Sequence, residues 1–435
     1  MHRRRSLPLP TLSSPLLLCL LILLLLPLFR FPPTPPHCAL LLPLSLTQVK
    51  SSGIASFLII ASFLSPTLAA SKVFVLEIDR EVEAPFVCEA KLPSMFHVER
   101  EIITSVRASP YITHNASEAA WVLVAIQPIL YQYCAKARDD PTSWRWAGAI
   151  RASARALNDH IIPWLRTLRY WARRGGMDHL FMFSAGAGAK IYRQVDALKY
   201  TGVILANSYD GPTPQLPRTV VVPSSVHPLL PASAIADSSE RAFATKTTAG
   251  YFRGLLQGGV NKRYSFGTRQ LLYEESNRTR DTQTTTPPML GLRIVEGNVA
   301  DDVYARELGL SRFCLALPGH YAFTPRNVQF LNAGCVPINV SPYGHDDVYP
   351  RYPITVHLPF ERTIDWGGFS LTIDQQVIKT PGALRRAMLE VRPERWAGMV
   401  AKMNMDRLKL IWEVHGGTAW TTLIEELRRL MKSPA

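Results

Sequence analysis

SRFCLALPGHYAFTPRNVQFLNAGCVPINVS, residues 311–341, decides the fold class of this 435-residue chain. Phe313-Cys314-Leu315-Ala316-Leu317 is a short apolar run rich in strand formers, closed by the breaker pair Pro318-Gly319. Thr324-Pro325 then suits a helix start, with threonine as N-cap and proline at the first helical position. The helix stops at Gly334, and the β-branched run Cys335-Val336-Pro337-Ile338-Asn339-Val340 begins at once. Strand, loop, helix, glycine stop and strand make a βαβ unit. Such a unit sets a helix N-terminus at the carboxyl edge of a parallel sheet, where N–H groups and the helix dipole suit a phosphate. Arg326 adds a fixed cation there. Pattern alone leaves Arg326 open between phosphate contact and ordinary solvation of a helix start.

FCLALPGH and TPRNVQFLNAGCVPINVS, in this order and spacing, resemble the hallmark segment of the exostosin-like glycosyltransferases (glycosyltransferase family 47), plant or algal type. The family pattern is roughly S-K-F-C-L-x-P-x-G, then S-x-R, then E-A-I-x-x-G-C-I-P-V. One departure stands out: where the family carries glutamate, this chain has Gln329.

Bulk properties agree with a two-domain globular body behind an apolar N-terminus. Hydrophobic residues make up 47% and charged residues 19%, and the formal charge is +14. Arg3, Arg4, Arg5, Arg30 and Lys50 lie in residues 1–71 with no acid, yet the remainder is still basic, which suits nucleotide sugars or acidic glycans. No basic-aromatic run, helix-turn-helix, zinc or RNA-binding signature supports nucleic acid as a partner. Arg3-Arg4-Arg5 before the apolar run Pro15–Phe29, and a second apolar run Gly53–Ala70, read as a targeting region over 1–71. A type II anchor with a lumenal body is expected; small residues at Leu68-Ala69-Ala70 leave a cleaved signal as the alternative. Cys88, Cys134, Cys314 and Cys335 follow this region without metal-knuckle spacing, so disulfides and buried thiols both stay open. Asn115-Ala-Ser117 and Asn277-Arg-Thr279 fit glycosylation acceptors, whereas Asn339 lies in an expected strand.

Strands are expected from Lys72, from Trp121, from Leu180, at Tyr200–Asn207 and at Arg218–Val222. A helix is expected over Phe96–Ser105 with Glu99, Arg100 and Glu101 outward, and a long one over about Trp144–Arg173, with Ile150, Ala154, Leu157, Ile161, Trp164 and Leu168 at helical spacing. RYWARRGGMDHLFMF, residues 169–183, resembles the family's second signature, P-Y-W-x-R-x-G-G-x-D-H-F-F-V. Asp178 and His179 there read either as a general-base pair or as a turn cap. Gly186-x-Gly188 lacks the third small residue of a dinucleotide fingerprint at Ile191 and reads as a plain loop. Ala232–Thr248 reads as a linker, and Glu274–Leu290 as a polar loop.

Gly250-Tyr-Phe-Arg253-Gly254 resembles the family's F-F-x-G strand end, and Arg269-Gln-Leu-Leu its helical arginine. Ile364-Asp365-Trp366 resembles L-D-W. The resemblance covers roughly residues 73–415 and implies GT-B, two Rossmann-like α/β domains facing across a cleft. Expected bounds are 72–217 for the acceptor-side domain, 218–400 for the nucleotide-sugar domain and 401–435 for C-terminal helices. It implies transfer from a UDP-sugar to a glycan or glycoprotein with inversion. The expected roles are Asp178 or His179 near the acceptor, Arg253, Arg269 and Arg326 on the diphosphate, and Gly319 with His320 for close backbone approach. Gln329 would sit at the ribose, and Asp365 with Trp366 at the sugar pocket. No metal and no cofactor beyond the donor substrate is expected, since no Asp-x-Asp motif occurs. A Golgi location, and a degenerate nucleotide- or glycan-binding relative as the alternative to an enzyme, complete the expectations.

Overall fold

Among the described residues ten short strands, the central ones mostly buried, sort into two five-stranded sheets in which every pairing is parallel. Continuous apolar runs such as Trp121-Val-Leu-Val can be strands only where both faces are covered, which is what a parallel sheet requires. The computed structural model describes residues 72–92, 96–139, 147–184, 194–195, 198, 202–206, 218–225, 235–256, 264–281, 291–319, 324–341 and 356–432. All of them lie in one unit, Leu64–Ala435.

The first sheet runs β1 (Val73–Leu76), β2 (Trp121–Val124), β3 (His179–Phe183), β4 (Val203–Ala206) and β5 (Thr219–Val221), in that spatial order. Ile112 forms a parallel bridge to Val73, and the Val73 N–H donates to the Tyr111 carbonyl, so the segment after the first helix lies on the free edge of β1. The chain then crosses β1 to reach β2. The second sheet has the order β10 (Leu371–Asp374), β9 (Val336–Ser341), β8 (Ser311–Ala316), β6 (Thr248–Arg253), β7 (Leu292–Val295). Here too the chain adds one strand on one side of β6 and then jumps to the other side. The winding direction therefore reverses between β6 and β8, and in open α/β sheets ligands bind outside the carboxyl ends of the strands at such a reversal. Two α/β halves, each with a parallel sheet, give the GT-B architecture.

Helices pack on both faces. Helix α1 (Val98–Arg107) covers one face of the first sheet with Val98, Ile102 and Val106, and α2 (Pro128–Asp139) covers the other with Tyr131. Glu99 is not outward as the pattern suggested: it is 1% exposed and accepts from the Ser184 N–H (2.8 Å), the Ser184 hydroxyl (2.9 Å) and the Ile129 N–H (3.2 Å). It ties α1 to the exit of β3 and the start of α2. The long helix expected to Arg173 is Ala147–Arg155, a wider π turn Ala156–Ile161, then Ile162–Thr167; extended backbone at Leu168 ends it, and α3 (Arg169–Arg174) restarts. Pro163 cannot donate to the preceding turn, and the widened turn just before it absorbs that loss.

Two segments expected as linker and loop carry helix. Ser239 caps Glu240–Thr245 by accepting from the Ala242 N–H, and Thr268–Asp281 forms α4, whose Leu272 is buried and whose Ser276 hydroxyl donates to the Leu292 carbonyl. Polar composition hid both, because one buried face suffices for a surface helix. Next come α5 (Asp301–Gly309), α6 (Asn327–Asn332), α7 (Pro393–Asp406) and α8 (Ala419–Lys432). The Arg326 position is the N-cap of α6, so its six helical residues begin two positions later than Thr324-Pro325 suggested.

The C-terminal chain returns to the first half. The Phe360 N–H donates to the Val221 carbonyl (2.9 Å) and the Trp412 indole N–H to the Pro223 carbonyl (3.2 Å), both just past the carboxyl end of β5. One apolar cluster continues from Leu123 and Leu205 through Phe252 and Ile338 to Trp420 and Leu427. Glu426 of α8, 1% exposed, accepts from the Thr363 hydroxyl (2.7 Å) and the Arg362 guanidinium (3.2 Å), which anchors the segment after β9. Among the described residues no helix is long and apolar enough to cross a membrane.

The four cysteines among the described residues form two disulfides, Cys88–Cys134 and Cys314–Cys335, the second buried between neighbouring strands. Cys88–Cys134 ties residues 46 apart in sequence. Replacing both by alanine is expected to cost about 4 kcal/mol by loop-closure entropy, seen as a lower urea midpoint of the first half.

Candidate active site

The segment that begins α4 is built under backbone tension. Ser265 and Phe266 both have positive φ (57° and 52°), conformations that cost non-glycine residues about 1–3 kcal/mol each. The turn is held in place: the Ser265 N–H donates to the Gly319 carbonyl (2.9 Å), and the Gln375 amide donates to the Phe266 carbonyl (2.6 Å). Its effect is to put Arg269 on the first turn of α4, next to the carboxyl ends of β6 and β8.

Arg269 is 5% exposed. One nitrogen donates to the Leu255 carbonyl (2.7 Å) and the Tyr264 hydroxyl (2.5 Å), another to the Leu317 carbonyl (3.4 Å), and Nε has no hydrogen-bond partner among the described residues. Its guanidinium carbon lies 4.8 Å from the centroid of the Phe252 ring and 4.9 Å from that of Tyr264. Burial, reinforced by the charge of Arg326, lowers its pKa to about 10, so it stays a cation at neutral pH. Arg326 reaches the same ring, 5.0 Å from the Phe252 centroid, and donates to the Arg253 carbonyl. Gly319 adjoins them, since a Cβ there would lie 3.5 Å from Arg269 Nη2. Among the described residues neither Arg269 nor Arg326 meets a carboxylate. Two cations on one ring, with no counter-ion among the described residues, attract an anion, and a phosphate accepts forked guanidinium hydrogen bonds well.

Arg253 is placed differently from the sequence expectation. Its fork is closed on Glu307, with Nε to Oε2 at 2.8 Å and Nη2 to Oε1 at 3.0 Å, and Arg293 joins the same carboxylate at 2.7 Å. The guanidinium is thus already neutralised and supplies structure, while its carbonyl holds Arg326. Gln329 is half-buried on the first turn of α6, and its side-chain amide makes no hydrogen bond among the described residues. His320 lies outside the described residues.

Asp178 and His179 lie at the amino edge of the first sheet, where β3 begins, on the opposite side from the carboxyl edges. Both are buried. The Asp178 carboxylate takes Arg173 (2.5 and 3.1 Å) on one oxygen and His179 Nδ1 (2.9 Å) on the other, and His179 packs on Trp171 with ring centroids 5.0 Å apart. Gly176, with φ 83°, completes the motif: a Cβ there would lie 2.6 Å from Trp171. The pair is thus a buried clamp on the turn that enters β3. Asp365 is a surface ion pair with Lys402 (2.9 Å), and Trp366 is core, 6% exposed, its indole donating to the Pro359 carbonyl (2.8 Å). Neither faces the arginine pair in any contact described.

Sequence reasoning missed Phe252 and Tyr264, which carry the two arginines. The aromatic Tyr251-Phe252 in front of Arg253-Gly254 held that signal, but strand aromatics are usually read as core.

A two-half α/β protein with an arginine-lined carboxyl edge at a strand-order reversal is a nucleotide-type binder in form. The chain belongs to the exostosin family: residues 68–388 match the Exostosin GT47 domain. It is thus a member of a glycosyltransferase family. It is similar to proteins named probable glucuronosyltransferase from Oryza sativa subsp. japonica (24% identical over 70% of this chain and 67% of that one). It is also similar to a probable glucuronoxylan glucuronosyltransferase from Arabidopsis thaliana (23% identical, 60% of this chain and 54% of that one). The chain spans about half to two thirds of the length of these relatives. Among solved structures it is slightly similar to Acinetobacter baumannii MurG, with TM-score 0.34, 11% identity, 82% of this chain and 99% of that one.

The clamp gives a test by pH. Burial works to raise the Asp178 pKa, but His179 and Arg173 outweigh it and hold the carboxyl below its ordinary range. A depressed carboxyl contributes stability above its unfolded pKa, and that contribution is lost as pH falls through the folded value. Asp178→Asn is therefore expected to cost about 3 kcal/mol near pH 7, with the gap in melting temperature closing as pH falls below the ordinary carboxylate range. UDP affinity of the folded variant should be unchanged in calorimetry.

Proposed function

We propose that the chain transfers a sugar from a UDP-sugar to a glycan or glycoprotein acceptor, with inversion at the anomeric carbon and without a metal ion. The observation that carries this reading is the pairing of Arg269 and Arg326 on Phe252, free of carboxylates among the described residues, at the reversal between β6 and β8. In the reaction the acceptor oxygen bonds to the anomeric carbon as the bond to the diphosphate breaks, and a base takes the acceptor proton. Charge develops on the departing UDP. Two guanidiniums already fixed, that of Arg269 also buried, would stabilise that charge without reorganising, which is how preorganised sites lower barriers. The names of the relatives make UDP-glucuronic acid the first donor to try.

A second reading has one observation in its favour. Gln329 stands where the family has glutamate, and an amide offers one acceptor where a carboxylate offers two. Ribose contacts would weaken by about 1–2 kcal/mol, giving a relative that binds nucleotide or glycan without turnover.

A lumenal body in the Golgi, held by the N-terminal region, is part of the proposal. Two disulfides support an oxidising compartment. Asn115 supports it too, as an exposed acceptor whose Oδ1 takes the Ser117 hydroxyl at 2.6 Å, whereas Asn339 is buried in β9.

Titration calorimetry with UDP in excess chelator tests the binding claim. Wild type is expected to bind, and Arg326→Ala to bind about 10–100-fold more weakly, the scale of one or two charge-assisted hydrogen bonds. Equal affinities would remove Arg326 from the diphosphate. Transfer assays on wild type and Gln329→Glu then separate the two readings, because turnover confined to the variant selects the non-catalytic one.

A further inference from the structure

Arg253 was expected on the diphosphate, yet its side chain is 12% exposed and donates through Nε and Nη2 to Glu307, and through Nε also to the Tyr251 hydroxyl (3.0 Å). Glu307 sits on α5, and its carboxylate also takes the Tyr251 hydroxyl and Arg293. Three side chains from β6 and β7 therefore converge on the one carboxylate that α5 supplies, directly behind the carboxyl end of β6. What they hold still is the backbone at Arg253, because the carbonyl of that residue receives the Arg326 guanidinium.

The next residue completes the arrangement. Gly254 has φ +157°, and a Cβ built on it would stand 2.6 Å from Arg326 Nη2 and 2.9 Å from Nη1. Its N–H donates to the Val295 carbonyl (3.0 Å), so the backbone cannot swing away without breaking that bond to the end of β7. The guanidinium of Arg326 occupies the volume that any side chain at 254 would fill, and it lies over Phe252 on the other side.

We propose that Glu307, Arg253 and Gly254 are positioning residues for Arg326. Glu307 locks Arg253, the Arg253 carbonyl orients the guanidinium, and the bare Cα of Gly254 leaves it room over Phe252. The inference rests on the reading of Arg326 as a diphosphate contact, but only for its functional consequence. Without this frame Arg326 would be a flexible surface arginine that loses side-chain entropy on meeting an anion; with it, that entropy is lost during folding.

Two measurements on the full chain test this. Limited modification with phenylglyoxal, read by peptide mass spectrometry, reports how firmly Arg326 is held without any ligand. Gly254→Ala and Glu307→Gln should each label at Arg326 several-fold faster than wild type, at similar labelling of Arg429. Equal Arg326 labelling in Gly254→Ala and wild type overturns the proposal, whether or not Glu307→Gln folds well. The second measurement is calorimetry with UDP and with uridine. Gly254→Ala should weaken UDP about tenfold, one charge-assisted hydrogen bond, while uridine affinity stays the same. In the Arg326→Ala background the same change should have no further effect, since both act through one group. Additive losses overturn the proposal. Faster labelling with unchanged UDP affinity would instead support the frame and remove the diphosphate role from Arg326.

Discussion

Two like charges share one aromatic ring in the second half of this protein. Arg269 and Arg326 approach Phe252 to 4.8 and 5.0 Å, and among the described residues no carboxylate neutralises either. The ring's quadrupole favours each cation, but their mutual repulsion remains: burial chiefly, and the charge of Arg326 to a lesser degree, lower the pKa of Arg269. Folding alone gives little reason to bring two guanidiniums together. The arrangement is accounted for if an anion completes it, and a strained turn at Ser265-Phe266 shows that the fold accepts a cost to keep Arg269 there.

Topology puts this pair in a useful place. Both sheets reverse their winding direction beside their first strand, and in the second sheet the reversal opens over β6 and β8, where Phe252, Arg269, Gly319 and Arg326 meet. The C-terminal segment then ties the halves together at the carboxyl end of β5, through Phe360 and Trp412. Glu101 adds a polar link there, accepting from the Ser225 hydroxyl at 2.5 Å and lying 3.3 Å from His415 Nε2. The same contacts that bury apolar surface therefore hold the carboxyl edge of one sheet next to elements of the other half.

Much of this was legible from residues 311–341, because strand, loop, helix and strand are each marked by local chemistry: β-branched runs, Pro318-Gly319, and Gly334 with φ 68° where a Cβ would meet Ala236. The site was less legible. Arg253, Arg269 and Arg326 look alike in sequence, and only the fold shows that Glu307, fifty-odd positions further on, claims the first. Asp178-His179 read either as a general-base pair or as a turn cap, and Arg173, five residues earlier, was the counter-ion that the second reading needed. Glu99 looked solvated because three consecutive charged residues usually are; its partners, Ser184 and Ile129, are brought to it by the sheet. Helix 240–245 and the second half of helix 268–281 were hidden by polar composition, since burial of one face is a tertiary fact.

A crystal structure of the chain with UDP bound tests the central claim most directly. The account predicts diphosphate oxygens within hydrogen-bonding distance of the guanidiniums of Arg269 and Arg326, over the carboxyl ends of β6 and β8. Nucleotide density elsewhere, with those two side chains still stacked on Phe252 and untouched by phosphate, would contradict it.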